Sequence, residues 1–236
     1  MFFNFIKNLN SLSKTKNIIV KNLGFINYTE CYEYQKKIQN EIIQIKLNNR
    51  NNKIKQKTPN YLLFVEHNHV YTLGNSGDNS NLLFDKTMLE KKGIDFHKTN
   101  RGGDITYHGP GQMVCYPILD MENFYTDIHK YLRDLEDIII NTLSFFGINA
   151  SVNSEETGVW LDVGNIKERK ICAMGIKVSR WVTMHGLALN VNTDLSYFDG
   201  IIPCGISNKG VTSISNELNK KIDIELVQKV FIKNFL

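Results

Sequence analysis

The sequence predicts a mixed fold of the α/β (α+β) class, a mixed β-sheet packed on helices. Three observations carry this. Strand-like runs alternate with stretches of helical period along the whole chain. No internal repeat or low-complexity tract breaks the mixture. The 236 residues, 42% of them hydrophobic, suffice for one sizeable core. The sequence shows no domain boundary, so residues 17–236 read as one domain behind an extension at 1–16.

The elements follow in order. Ile18-Ile19-Val20 reads as a first strand. Thr29 through Leu47 keeps helical period, with Tyr34, Ile38, Ile42 and Ile45 on one face. Tyr61–Val65 and Val70–Leu73 read as strands, and Gly74 through Ser80 as a loop able to act as a mobile flap. Asp85 through Lys92 predicts a short helix, opened by a capping Asp and closed by Gly93. Gly93–Phe96 leads toward a glycine-rich segment, and Met113–Leu119 leaves it as a strand. Thr126 to Phe146 has the strongest helical signal. Thr126 is placed to cap it, Ile128, Leu132, Leu135, Ile139 and Leu143 form its apolar face, and Gly147 stops it. Strands are predicted at 158–163, 170–178 and 182–191, and a last helix at Ile224–Phe235.

Composition narrows the classes of function. No apolar run reaches the roughly eighteen residues a membrane span needs. The formal charge is +4, with a positive, aperiodic run from Lys46 through Lys57 that reads as a solvated loop. That run has no aromatic residue, which argues against a nucleic-acid interface and leaves mild steering of acidic protein partners. Cys31, Cys115, Cys172 and Cys204 are scattered, with no zinc-type spacing, so neither metal nor disulfide framework is expected, and the compartment reads as a reducing cytoplasm. The extension MFFNFIKNLNSLSKTK lacks Arg and a small-residue cleavage site, so it reads as an ordinary extension and not a targeting peptide.

Three features point to chemistry. Residues 101–112, RGGDITYHGPGQ, hold four glycines and a proline beside many hydrogen-bonding side chains. Glycine leaves nothing to pack, so the stretch reads as a loop bringing backbone N–H groups to a ligand and not as a core element. Cys204 lies between Pro203 and Gly205, at a turn. It reads either as a thiolate nucleophile with backbone donors for an oxyanion, or as a small buried hydrophobe. Lys170 opens an apolar strand-like run. Its ammonium either lowers the pKa of a nearby thiol or snorkels from a strand end.

Four blocks together give a resemblance: Glu66-His67-Asn68-His69-Val70-Tyr71-Thr72-Leu73-Gly74, RGGDITYHGPGQ at 101–112, KICAMGIKVSRWVTMHGLALNVNTDL at 170–195 and IIPCGI at 201–206. The chain is similar to the octanoyltransferases of lipoate biosynthesis, the lipoate-protein ligase B family. The first block departs from the family pattern, carrying Asn68 and His69 where two prolines are common. The resemblance implies the fold of the biotin and lipoate protein ligases. It implies that Cys204 carries an acyl thioester and that Lys170 activates it. It also implies an acyl site lined by Arg101, Gly102, Gly103, Asp104, Ile105, Thr106, Tyr107 and His108, with Ala173, Met174, Gly175, Gly186, Leu187 and Ala188 as further walls.

The implied donor is an octanoyl thioester on acyl carrier protein. The implied acceptor is a lysine amine on a lipoyl domain of a 2-oxoacid dehydrogenase or on the glycine-cleavage H protein. Thioester exchange is nearly neutral in energy and amide formation runs downhill, so no nucleotide, metal or other cofactor is expected. Lys170 is the natural proton acceptor, with His108 and His185 behind it. The alternative is an ATP-dependent lipoate or biotin protein ligase, which would not need Cys204.

Overall fold

Among the described residues eleven strands divide between two sheets, and the division is what creates an interior gap. The computed structural model describes residues 18–203 and 209–236; the extension at 1–16 lies outside the described residues. The larger sheet runs in the order β1 (Ile18–Phe25), β2 (Asn60–Glu66), β6 (Gln112–Ile118), β10 (Val182–Asn190), β9 (Arg169–Ser179), β8 (Val159–Leu161) and β7 (Ser151–Val152), with β11 (Gly210–Val211) also paired to β9. The smaller sheet runs β4 (Asp95–Lys98), β3 (Val70–Leu73), β5 (Ile105–His108). The helices are α1 (Tyr28–Asn51), α2 (Lys86–Lys92), α3 (Ile128–Phe145), α4 (Ile214–Leu218) and α5 (Ile224–Phe235).

Both faces of the large sheet are covered, so its central strands read as near-continuous apolar runs and not as alternating ones. Leu62 and Phe64 of β2 face α3 and α5, packing with Leu135, Ile139 and Phe231. Their neighbours Leu63 and Val65 face α1 and join Ile38 and Ile42. A third cluster, with Tyr71, Tyr107 and Phe198, backs the small sheet.

The mixed fold, α2 with its Asp85 cap and left-handed Gly93 (φ 63°), the strands at 159–161, 169–179 and 182–190, and α5 all follow the sequence reading. Several details differ. The cap of α3 is Asp127, whose side chain accepts from the Lys130 N–H at 2.9 Å, and not Thr126; Ile128 stays exposed. The Gly74–Ser80 segment is stitched to the glycine-rich segment by Asn75 N–H to Arg101 O (2.9 Å), Ser76 N–H to Gly103 O (3.3 Å) and Asp78 N–H to Asp104 Oδ1 (3.2 Å). Those bonds argue against a free flap. Strands β7 and β11 and helix α4 are too short for periodicity to mark.

The predicted basic loop is half helix. Helix α1 continues to Asn51, and Lys46 is not a solvated cation. Its ammonium bonds the Asp120 carboxylate at 2.5 Å and the Arg180 carbonyl at 2.8 Å, with Glu122 at 3.2 Å. Asp120 is 4% exposed and also accepts from the Thr58 hydroxyl at 2.8 Å. Removing one partner of such a pair strands a buried charge, at a cost of about 3 kcal/mol or more. Lys46→Ala is therefore expected to lower stability by roughly that amount in urea unfolding, while Lys53→Ala stays within about 0.5 kcal/mol, as exposed positions usually do. Equal midpoints for the two variants would return Lys46 to the solvated loop.

Candidate active site

The glycine-rich segment does two jobs. Gly102, Gly103 and Asp104 form a turn, but Ile105–His108 is a strand, each residue of it buried, against the expectation of a loop throughout. Its β-branched and aromatic residues supply the packing that the glycines lack. Strand β5 pairs with β3 in register, Tyr107 opposite Tyr71 and Thr106 opposite Thr72. The small sheet thus presents Thr106 and His108 toward the large sheet.

Between the two sheets lies a cavity. It brings together Arg101, Gly103, Asp104, Ile105, Thr106 and His108 from one side with Ala173, Met174, Gly175, Gly186, Leu187 and Ala188 from the other. A second, smaller cavity shares Thr106, Ala173 and Ala188 with it and is lined by Lys170, Gln112, Asn190 and Pro203. Two expected residues stand apart. Gly102 is exposed and donates its N–H to the Ile176 carbonyl (2.9 Å), tying the loop to β9. Tyr107 points away because strand side chains alternate. It stacks on Tyr197 at 5.2 Å, and its hydroxyl meets His69 Nδ1 at 2.8 Å.

The glycines serve protein contacts first. A Cβ on Gly175 would sit 2.7 Å from the Gly102 carbonyl oxygen, and one on Gly186 would sit 2.2 Å from the Cys115 carbonyl oxygen. These positions let backbones approach each other. The small side chains of Ala173 and Ala188, in register across β9 and β10, leave the open space.

Arg101 is buried. Its Nη2 donates to the Thr72 carbonyl at 2.5 Å and hydroxyl at 3.0 Å, and its Nη1 donates to the Gly102 carbonyl at 3.0 Å. The guanidinium therefore fixes the loop geometry from inside. Around it the imidazoles are held neutral. Burial, then the neighbouring His67, pushes His108 down to about 3. Burial, then Arg101, pushes His185 down to about 3, and burial pushes His67 down to about 4. His108 Nδ1 meets Gln112 Oε1 at 2.8 Å, and His185 Nε2 meets Asn100 Oδ1 at 3.0 Å.

Lys170 is 7% exposed on β9, its ammonium 4.5 Å from the centre of the Trp160 ring. Its stem packs on Gly158, where a Cβ would come 3.5 Å from Cε. Buried Glu136 lies beyond, accepting the Gly158 N–H at 2.8 Å. Burial lifts the Glu136 carboxyl, against that N–H, Arg133 and Lys170. Cys204 lies outside the described residues. The residues flanking that segment converge on Lys170: Pro203 lines the same cavity, and the Lys209 ammonium sits 4.9 Å from the Trp160 ring centre. The other three cysteines are buried, and burial pushes their thiols up, Cys31 to about 12.

Sequence reasoning missed Tyr28 and Tyr116, which also line the larger cavity. Tyr28 is the first residue of α1, after the Asn27 cap that accepts the Thr29 N–H at 2.8 Å. An Asn cap beside a tyrosine was the available signal, one that marks a helix start and not a ligand.

Residues 43–236 match the pattern of the Lipoyl protein ligase A/B catalytic domain. The chain is 58% identical over 221 residues to a protein of Christiangramia forsetii named octanoyltransferase, covering 93% of this chain and 94% of that one. It is 57% identical over 220 residues to the octanoyltransferase of Flavobacterium johnsoniae, covering 93% and 95%. Among solved structures it is similar to the bi-partite lipoate protein ligase of Thermoplasma acidophilum, with a TM-score of 0.68, 19% identity, and coverage of 94% of this chain and 83% of that chain. At that identity the likeness speaks to fold.

The neutral imidazoles give a stability signature. A group whose folded pKa lies below its unfolded value near 6.5 destabilises the fold as pH drops between the two values. The loss begins near pH 6.5 and runs to about 4 for His67 and about 3 for His108 and His185. At pH 5.5 each costs on the order of 1 kcal/mol. We expect urea midpoints to fall steeply from pH 7.5 to 5.5, and His108→Gln to remove about a third of the histidine share of that slope. An unchanged slope would mean that His108 is protonated in the folded protein.

Proposed function

The chain belongs to the lipoyl protein ligase A/B catalytic domain family, and from that premise we propose that it transfers octanoyl groups through a thioester on Cys204 with Lys170 as the proton carrier. It is an octanoyltransferase, an acyltransferase of lipoate biosynthesis and protein lipoylation. Its donor is an acyl carrier protein and its acceptors are lipoyl domains. The finer acceptors we propose are those of 2-oxoacid dehydrogenases and the glycine-cleavage H protein. The reducing cytoplasm is the compartment in which a nucleophilic thiol stays reduced.

The observation that carries the mechanism is the junction of the two cavities. Lys170 and Pro203, the residue before Cys204, line one, and Thr106, Ala173 and Ala188 are shared with the other. A thioester formed at the Lys170 end would send its alkyl chain into the larger space. Burying that chain is worth on the order of 5 kcal/mol at about 0.8 kcal/mol per methylene.

The steps balance without an outside reagent. Neutral Lys170 takes the Cys204 proton, the thiolate attacks the donor carbonyl, and the carrier sulfur leaves as thiolate and takes that proton from the Lys170 ammonium. The acceptor amine then attacks acyl-Cys204, forms the amide and expels the Cys204 sulfur, while the proton lost by the amine passes to neutral Lys170. His108 and His185, pushed down to about 3, are poor proton acceptors at neutral pH. The raised thiols of Cys31, Cys115 and Cys172 disfavour them as nucleophiles. An ATP-dependent ligase shares the fold but has no role for Cys204.

Cys204→Ser is expected to abolish transfer, while Cys172→Ala keeps most of it; full turnover in the serine variant would sink the thioester mechanism. Lys170→Ala should slow both half-reactions. High pH should partly restore acylation by ionising the thiol, and transfer to the acceptor should stay slow unless an amine base is added. Lys170→Arg keeps the charge but cannot act as a base, so it should be nearly as poor. Pre-steady-state acylation and deacylation across pH measure both. Normal deacylation in the arginine variant would limit Lys170 to electrostatics.

A further inference from the structure

We propose that Tyr28 closes the far end of the acyl slot and sets the longest acyl chain the enzyme accepts. The inference rests on the octanoyl-transfer reading and assigns its length limit to a residue of α1 that lies outside the matched span 43–236.

The two cavities give the slot a direction. Lys170 and Pro203 line only the smaller cavity, Thr106, Ala173 and Ala188 line both, and Tyr28, Tyr116 and His185 wall only the larger one. A chain that passes the shared residues from the Lys170 side therefore runs into the space that these rings bound.

That wall is locked. The Tyr28 ring is 3% exposed, stacks on His108 at 6.1 Å with an interplanar angle of 9°, and meets His67 edge-on at 5.3 Å. His67 is fixed at both nitrogens, Nδ1 to the Ile26 carbonyl and Nε2 to the Tyr116 hydroxyl, each at 2.8 Å. His108 is held by Gln112, and His185 by Asn100, with Tyr32 stacked on its ring at 5.6 Å. A longer chain cannot push these rings aside without breaking those bonds. Tyr116 and His185 belong to the large sheet and His108 to the small one, so their backbones are tied into ladders. Tyr28 stands at the start of a helix, so its ring can be removed without touching a sheet.

The test is single-turnover acylation with hexanoyl, octanoyl, decanoyl and dodecanoyl carrier protein, using wild type, Tyr28→Ala, Tyr28→Leu and Tyr28→Phe. The readout is the ratio of the dodecanoyl to the octanoyl rate within one preparation, which does not depend on the fraction folded. Each methylene newly accommodated is worth roughly fourfold in affinity. The ratio should rise about tenfold or more in Tyr28→Ala, less in Tyr28→Leu, and stay at the wild-type value in Tyr28→Phe, which keeps the ring. An unchanged ratio in both the alanine and leucine variants would overturn the proposal, as would a phenylalanine variant that behaves like alanine. Absence of octanoyl transfer in the wild type would instead remove the reading on which the proposal stands.

Discussion

The antiparallel register of β9 on β10 is the constraint from which the site follows. It sets Ala173 opposite Ala188 and Gly175 opposite Gly186. On that face the sheet loses bulk where the second sheet crosses it, and the space left becomes the slot. A slip by one residue would replace the two alanines on the slot face by the bulkier Met174 and Leu187, which border the cavity but pack their side chains into the core cluster. The glycines also let the Arg101 loop and β6 come close, so the cavity is bounded by backbone that cannot readily shift. The buried Arg101 guanidinium, bonded to Thr72, then holds the small sheet and the loop in one arrangement.

Electrostatics divide the slot into two regimes. At the far end the imidazoles are neutral, kept so by burial and by the nearby guanidinium, which suits an alkyl tail. At the other end the Lys170 and Lys209 ammonium groups both approach the Trp160 indole, the second also paired with Glu168 at 2.8 Å.

Elements whose signals are local were legible in the sequence. Helix α2 carries its own cap and stop, Asp85 and Gly93, and α5 keeps a clean helical period. The residues 101–112 stood out in the sequence, but composition could not show that four of them, Ile105 to His108, form a buried strand. Their partner, β3, lies thirty residues away, and the glycines on either side mask the β-forming core. Lys46 read as solvated because an Asn-rich run hides helical continuity, and because its acid partner, Asp120, is remote in sequence. Tyr28 was invisible for the same reason. Its value comes from the strands that fold against it.

The account stands most directly on one measurement, the intact mass of the purified chain after incubation with octanoyl-carrier protein in the absence of nucleotide and acceptor. It predicts one octanoyl group per chain, labile to hydroxylamine as a thioester is, and located on Cys204 by peptide mapping. An unmodified chain that acylates a lipoyl domain only when ATP is supplied would contradict it.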